Sequence, residues 1–414
     1  MTRAGERLGA GRHLAPGEPP ADTVTTLHQL GTADGASVSG VLRVVPGAET
    51  VVCLMHPRQD FTHHVLVPEL LTAGVAVWTQ GSRSVNNDLN LLHEQAVLDM
   101  AAGQRFLREY GFASVLTLGH SGGGALAALY HQQSGLAPAH RIARSPGGRP
   151  VDLAGAELPA PDGALFMAPH PGQGALLQRL IDPSVTDEAD PLAADPELDP
   201  YLPRNGFAPA PESSAYSAEF IARYRAAQRD RVRRIDERAQ SLAAETATAR
   251  QRAKTEGDAD QRRRALAPNI LTVYRTDAEL RSVDRSLDPN DRPYGSLFGS
   301  RPDLINYGLL GFGRLCTPEA WLSTWSANHT HADFLRCAPG ITVPALLIEL
   351  TGDQACFPAD AEAMTQAIGH PDVTHQRVRG RHFGGAITEG EPTGASLAGR
   401  AIRDWLSTRF PLAR

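Results

Sequence analysis

Short runs of uninterrupted apolar residues punctuate the first 170 or so positions of the chain, separated by stretches in which apolar residues recur at helical spacing. Thr50 to Met55 (TVVCLM), Val75 to Thr79, Ser114 to Leu118 and Gly163 to Ala168 (GALFMA) have the continuous apolar character of strands buried on both faces of a parallel sheet. Val24 to Leu30 and Ser37 to Val45, joined by an Asp34-Gly35 turn, predict an antiparallel hairpin ahead of them. Val65 to Ala73 and Leu89 to Tyr110 read as helices. The second carries Leu91, Leu92, Ala96, Leu98, Met100, Phe106 and Leu107 at near-helical spacing and stops at Gly111. Strand and helix in alternation predict the α/β class, with a mostly parallel central sheet flanked by helices.

The alternation breaks after Ala168. From Pro169 to about Ala338 the chain carries an Asp/Pro-rich stretch, Asp182 to Pro211, and then a long polar helical run, Ser217 to Ala253. Phe220, Tyr224, Ala227, Val232, Ile235, Ala239 and Leu242 form one apolar stripe on that run, so one face packs on something. Its arginines, among them Arg223, Arg225, Arg229, Arg231, Arg233, Arg234 and Arg238, interleave with Asp230, Asp236 and Glu237, the pattern of a solvated, salt-bridged face. Strand and helix resume with Val343 to Leu350, a helix from Ala359 to Ile368, a strand at Val373 to Val378 and a closing helix from Ala395 to Thr408. Four segments result: a flexible tail, 1–23; a first core segment, 24–168; an insertion, 169–338; and a second core segment, 339–414.

Composition narrows the partners. The 414 residues include 40 basic and 46 acidic side chains, net −6, which gives no reason to expect nucleic acid or an anionic membrane as the main partner. Cys53, Cys316, Cys337 and Cys356 show neither paired metal spacing nor the density of a disulfide scaffold, which fits a reducing cytoplasm. Residues 1–23 lack the apolar centre of a signal peptide, and no stretch is long and apolar enough to span a bilayer. His329-Thr330-His331 has a spacing that suits a metal in a strand, but no further ligand lies nearby in sequence, and neither metal nor cofactor is predicted.

Chemistry concentrates at Gly119-His120-Ser121-Gly122-Gly123-Gly124, between the strand ending at Leu118 and the helical stretch Ala125 to Gln132. Gly-x-Ser-x-Gly between strand and helix reads as a nucleophile elbow: a sharp turn exposes the hydroxyl, and the glycines let strand and helix approach without Cβ clashes. A serine nucleophile also needs a base, an acid to orient the base, and donors for the developing oxyanion. Asp353, in Thr351-Gly352-Asp353 at a strand's carboxyl end, and His382, on the loop after the next strand, supply the first two in the order Ser, Asp, His. Asp360 is a rival acid, and His370 and His375 are rival bases. The donors are the N–H of Gly122 and, since Pro57 has none, that of Arg58. His56 and His120 are candidate substrate contacts, while His63 and His64 read as surface residues at a helix start.

With His56-Pro57, the elbow, Asp353 and His382 in place, the chain resembles the α/β-hydrolase fold superfamily over Val24 to Ala168 and Ile341 to Leu412. The resemblance implies a mainly helical cap inserted after the sixth strand. It also implies a serine hydrolase acting on a small-molecule acyl substrate, an ester, lactone or related compound. In that family the loop after the third strand usually begins His-Gly, where this chain has His56-Pro57. Ser121 argues against the branches that use an aspartate nucleophile. A carbon–carbon bond hydrolase of a ring-fission product and a non-catalytic ligand-binding scaffold are the alternatives, and a homodimer is left open.

Overall fold

The structure, a computed structural model, describes residues 16–85 and 87–413. Most of the expected N-terminal tail, residues 1–15, thus lies outside the described residues.

Eight strands form one sheet: β1 (Val24–Gly31), β2 (Ser37–Val44), β3 (Thr50–Met55), β4 (Ala76–Gln80), β5 (Ser114–His120), β6 (Gly163–Met167), β7 (Ala345–Leu350) and β8 (Val373–Val378). Their order across the sheet is β1-β2-β4-β3-β5-β6-β7-β8. The hairpin at one edge pairs antiparallel, β2 with both β1 and β4, and all other neighbours are parallel. The apolar runs make this possible, because β3 to β7 are covered on both faces and bury nearly every side chain they carry. Alternate residues feed two cores. Leu54, Leu118, Leu165, Met167 and Ile348 pack with helix α1 (Val67–Thr72) and the closing helix Gly394–Ser407. Met55, Ala164, Phe166 and Leu347 pack with α2 (His93–Tyr110) and α3 (Gly123–Gly135). Each fully buried leucine of this kind contributes about 1.5–3 kcal/mol over an exposed one.

Two element boundaries differ from expectation for local reasons. β7 starts at Ala345 rather than Val343 because Pro344 has no N–H for the ladder, although its carbonyl still accepts from Ala164 at 3.0 Å. α2 starts at His93 rather than Leu89, with Leu92 extended at φ −119°, and it ends as expected at Gly111, in the left-handed region at φ 107°.

The insertion lies between β6 and β7. It opens with α4 (Gln173–Leu180) and includes the 39-residue helix α5 (Ala218–Glu256), N-capped by the Ser217 hydroxyl, and α6 (Ala259–Leu266). Val232, Ile235, Ala239 and Leu242 of α5 pack on Trp321, Trp325, Leu177 and Ile181. The charged face departs from the expected solvated pattern at two arginines. Arg231 is buried, paired with Glu188 at 2.7 Å and bonded to the carbonyls of Asp182 and Tyr274, and Arg225 pairs with buried Glu279. The rest matches the expected solvated face: Arg223, Arg229, Arg233, Arg234 and Arg238 are exposed, with Arg233 paired to Glu237 at 2.7 Å. The sheet order, the sharp turn after β5 and the helical insertion after the sixth strand together make this an α/β-hydrolase fold.

Candidate active site

β5 ends at His120 and α3 starts at Gly123, leaving Ser121 and Gly122 to reverse the chain. Ser121 sits at φ 56°, a left-handed conformation that non-glycine residues rarely adopt. The packing around it leaves no room for side chains. A β carbon on Gly119 would lie 2.6 Å from Gly124 Cα, and one on Gly123 would lie 2.8 Å from the Met55 carbonyl oxygen. The elbow is therefore held by contacts between strand and helix backbones, and the serine hydroxyl is pushed out at the carboxyl end of the sheet.

His382 reaches that hydroxyl. It lies after β8, on a turn closed by the Gly384 N–H on the Arg381 carbonyl at 2.7 Å, and its Nε2 stands 3.0 Å from Ser121 Oγ. Its Nδ1 stands 2.9 and 3.0 Å from the two carboxylate oxygens of Asp353, after β7. A carboxylate accepts only, so Nδ1 carries the ring proton and Nε2 presents a lone pair to the serine. Asp353 is fully buried, and Oδ1 also accepts the amides of Ala355 at 2.6 Å and Cys356 at 3.0 Å. Those amides compensate the carboxylate for lost water. The insertion buttresses this loop, with Asn290 donating to the Asp353 carbonyl at 3.0 Å.

The other expected site residues fall differently. The amide of Arg58 does not face the serine as a free donor. It donates to His56 Nδ1 at 3.0 Å, and that of Gln59 donates to the same atom at 2.9 Å. The Arg58 side chain is held by Asp88 at 2.5 and 2.6 Å and lies about equally far from the Phe312 and Trp325 rings of the insertion, at 5.1 and 5.0 Å. His120 is likewise no free substrate contact, because both its ring nitrogens are taken. Its Nδ1 meets His64 Nε2 and its Nε2 meets the His382 carbonyl, each at 2.8 Å. One set of tautomers satisfies the whole series: Leu66 N–H to His64 Nδ1, His64 Nε2–H to His120 Nδ1, and His120 Nε2–H to the carbonyl. Burial holds the His64 pKa down at about 3 and that of His120 well below the ordinary value, so both rings are neutral struts. His64, expected at the surface, is thus buried, while His63 is exposed.

The rivals are occupied elsewhere. Asp360 holds Arg179 and Arg281, His375 pairs with Glu349 at 3.1 Å, and the His370 ring accepts the Asp372 amide. His331 bonds Glu94 at 2.7 Å, a tie between the insertion and α2. Three buried residues near the elbow escaped the sequence reading. The His170 N–H faces the Ser121 carbonyl at 3.4 Å. Gln173 opens α4 beside Gly122, and His93 bonds Gln173 at 3.2 Å. His170 and Gln173 belong to the insertion's first turn, which the strand and helix pattern did not tie to the site.

No family model matches the sequence, and no curated protein matches it. Among solved structures the chain is similar to the esterase domain of a Rhodothermus marinus protein, at 12% identity and a TM-score of 0.42, covering 93% of this chain and 98% of that one. It is also similar to the alpha/beta hydrolase GrgF from Penicillium sp. sh18, at 11% and 0.48, covering 94% and 99%. A malate-bound thermophilic esterase from Thermogutta terrifontis is similar at 13% and 0.41, covering 92% and 98%. At these scores the likeness carries no weight for the chemistry, which follows from the side chains of this chain.

Proposed function

We propose that the protein is a serine hydrolase that cleaves a small carboxylic ester, lactone or related acyl compound through an acyl-enzyme on Ser121. The observation that carries this is the series from Ser121 Oγ through His382 to Asp353, with contacts of 3.0 and 2.9 Å, built on a serine at φ 56°. His382 Nε2 takes the Ser121 proton as Oγ attacks the acyl carbonyl, and the resulting imidazolium is balanced by the Asp353 carboxylate. The tetrahedral oxyanion forms beside the Gly122 N–H. His382 returns its proton to the leaving alcohol, and water activated by the same nitrogen then releases the acid. Phe312 and Trp325, which the insertion sets against Arg58 at the loop after β3, support a role for that segment in substrate choice.

The test is labelling by a fluorophosphonate probe, with the modified peptide identified by mass spectrometry, for wild type, Ser121→Ala and His382→Ala. Labelling at Ser121 that vanishes in both variants is the expected result. A folded wild type that stays unlabelled and hydrolyses no activated ester overturns the assignment.

A further inference from the structure

The loop after β3 cannot give the site the Arg58 amide expected of it, since that amide, like that of Gln59, ends on His56 Nδ1. That arrangement fixes the His56 ring. Two N–H donors on Nδ1 require a lone pair there, so the ring proton sits on Nε2. His56 Nε2 has no hydrogen-bond partner among the described residues, although the residue is buried. Burial, with Arg58 and other histidines nearby, holds its pKa well below the ordinary value, so the ring stays neutral with Nε2–H as a donor.

Position gives this donor its use. A β carbon built on Gly122 would come within 3.0 Å of His56 Nε2 and 2.7 Å of Gln173 Nε2. Both nitrogens therefore stand over the residue that follows the nucleophile, whose own N–H is the first oxyanion donor. We propose that His56 Nε2–H is the second oxyanion donor of this site, replacing the backbone amide of the loop after β3. The inference rests on the acyl-enzyme assignment of Ser121. An imidazole N–H acts at an oxyanion as a backbone amide does, and as a neutral donor it adds no charge that would raise the cost of protonating His382.

Gln173 is the competing group, and its neighbour argues against it. His93 faces the Ser323 carbonyl through Nδ1 at 3.0 Å and the Gln173 side-chain oxygen through Nε2 at 3.2 Å. Both are acceptors, whereas burial pulls the His93 pKa down toward a neutral ring with one proton. With that proton on the Ser323 carbonyl, a neutral His93 calls for the NH2 end of Gln173 and turns its oxygen to the site. Gln173 is then the wall of the site, and His56 the donor.

Two substitutions separate donation from loop architecture. His56→Asn keeps an acceptor where Nδ1 was, for the Arg58 and Gln59 amides, and deletes Nε2–H. His56→Gln reaches the Nε2 position with a donor and loses the acceptor. With p-nitrophenyl acetate, His56→Asn should lower kcat by about a hundredfold to a thousandfold, with KM changed less than about threefold. His56→Gln should recover at least about tenfold of that loss. Phenylboronic acid, whose tetrahedral adduct on Ser121 places an oxygen in the hole, should lose affinity in His56→Asn as kcat does. The reverse order of the two variants, or a kcat of His56→Asn within threefold of wild type, overturns the proposal while leaving Ser121 as nucleophile. A wild type that neither turns over the ester nor labels at Ser121 overturns both. Should the variants fail to fold, the wild type decides: the His56 Nε2 proton resonance moves downfield in the phenylboronate adduct, and an unmoved proton overturns the assignment.

Discussion

Asp353→Asn tests the site at its most buried point. The aspartate Oδ1 accepts two backbone amides, at 2.6 and 3.0 Å, and an asparagine keeps those contacts with its own oxygen. Its Nδ2 then replaces the oxygen that stands 2.9 Å from His382 Nδ1. Two donors cannot face each other at 2.9 Å, and the oxygen that stays 3.0 Å from Nδ1 is already shared with the two amides, so the imidazole moves its proton to Nε2 and offers Ser121 a donor in place of a lone pair. The base is lost, and with it the partner of the imidazolium. A carboxylate and an imidazolium at this separation attract by about 6 kcal/mol at an effective dielectric constant of about 20. A rate factor of about 10⁴ corresponds to about 5.4 kcal/mol, and a loss of that size is expected for this change in a triad. The assay is steady-state hydrolysis of p-nitrophenyl acetate, with thermal melting to verify the fold. The expected result is a kcat lower by about 10⁴ with KM and melting temperature little changed. A folded variant that keeps more than a tenth of wild-type kcat refutes the role of Asp353.

Two further predictions concern what holds the site together. Gly119→Ala drives a β carbon to 2.6 Å from Gly124 Cα, where neither backbone can retreat, and should cost about 1–3 kcal/mol along with most of the activity. Equal melting temperatures for the variant and wild type would show that strand and helix are not in contact there. The second is acid sensitivity. His64 and His170 are held by burial at about 3 and His131 at about 4, below the ordinary 6.5, so the unfolded chain takes up protons that the native state refuses. The stability these neutral rings contribute is complete above pH 6.5 and is lost as pH falls toward their folded values, by on the order of 1 kcal/mol per ring per pH unit. Denaturant titrations at pH 7.5 and 5.0 should give a clearly lower midpoint at pH 5.0; equal midpoints would mean that these rings protonate in place.

The strands and the elbow are legible in the amino-acid pattern alone. Strands covered on both faces are mostly apolar, so β3, β5, β6 and β7 are visible as runs, and the polar side chains they do bury, such as Thr117 and Glu349, each have a partner. Gly119 and Gly123 were visible because backbones approach closely enough there to exclude a β carbon. The order Ser121, Asp353, His382 was also readable, because each residue sits at the carboxyl end of a strand that could be placed. Tertiary structure decided what the side chains do across the sequence. Arg231 read as part of a solvated face and is buried, because Glu188, 43 positions earlier, and two carbonyls meet its charge. His120 lies beside Ser121 in sequence, yet it supports His382 through a bond to its carbonyl, with His64 fixing its tautomer. The sequence points to Arg58 as a donor, but its amide is bonded to His56 Nδ1. Periodicity records which side chains are buried; the direction of a loop amide or the proton on an imidazole depends on partners that only folding assembles.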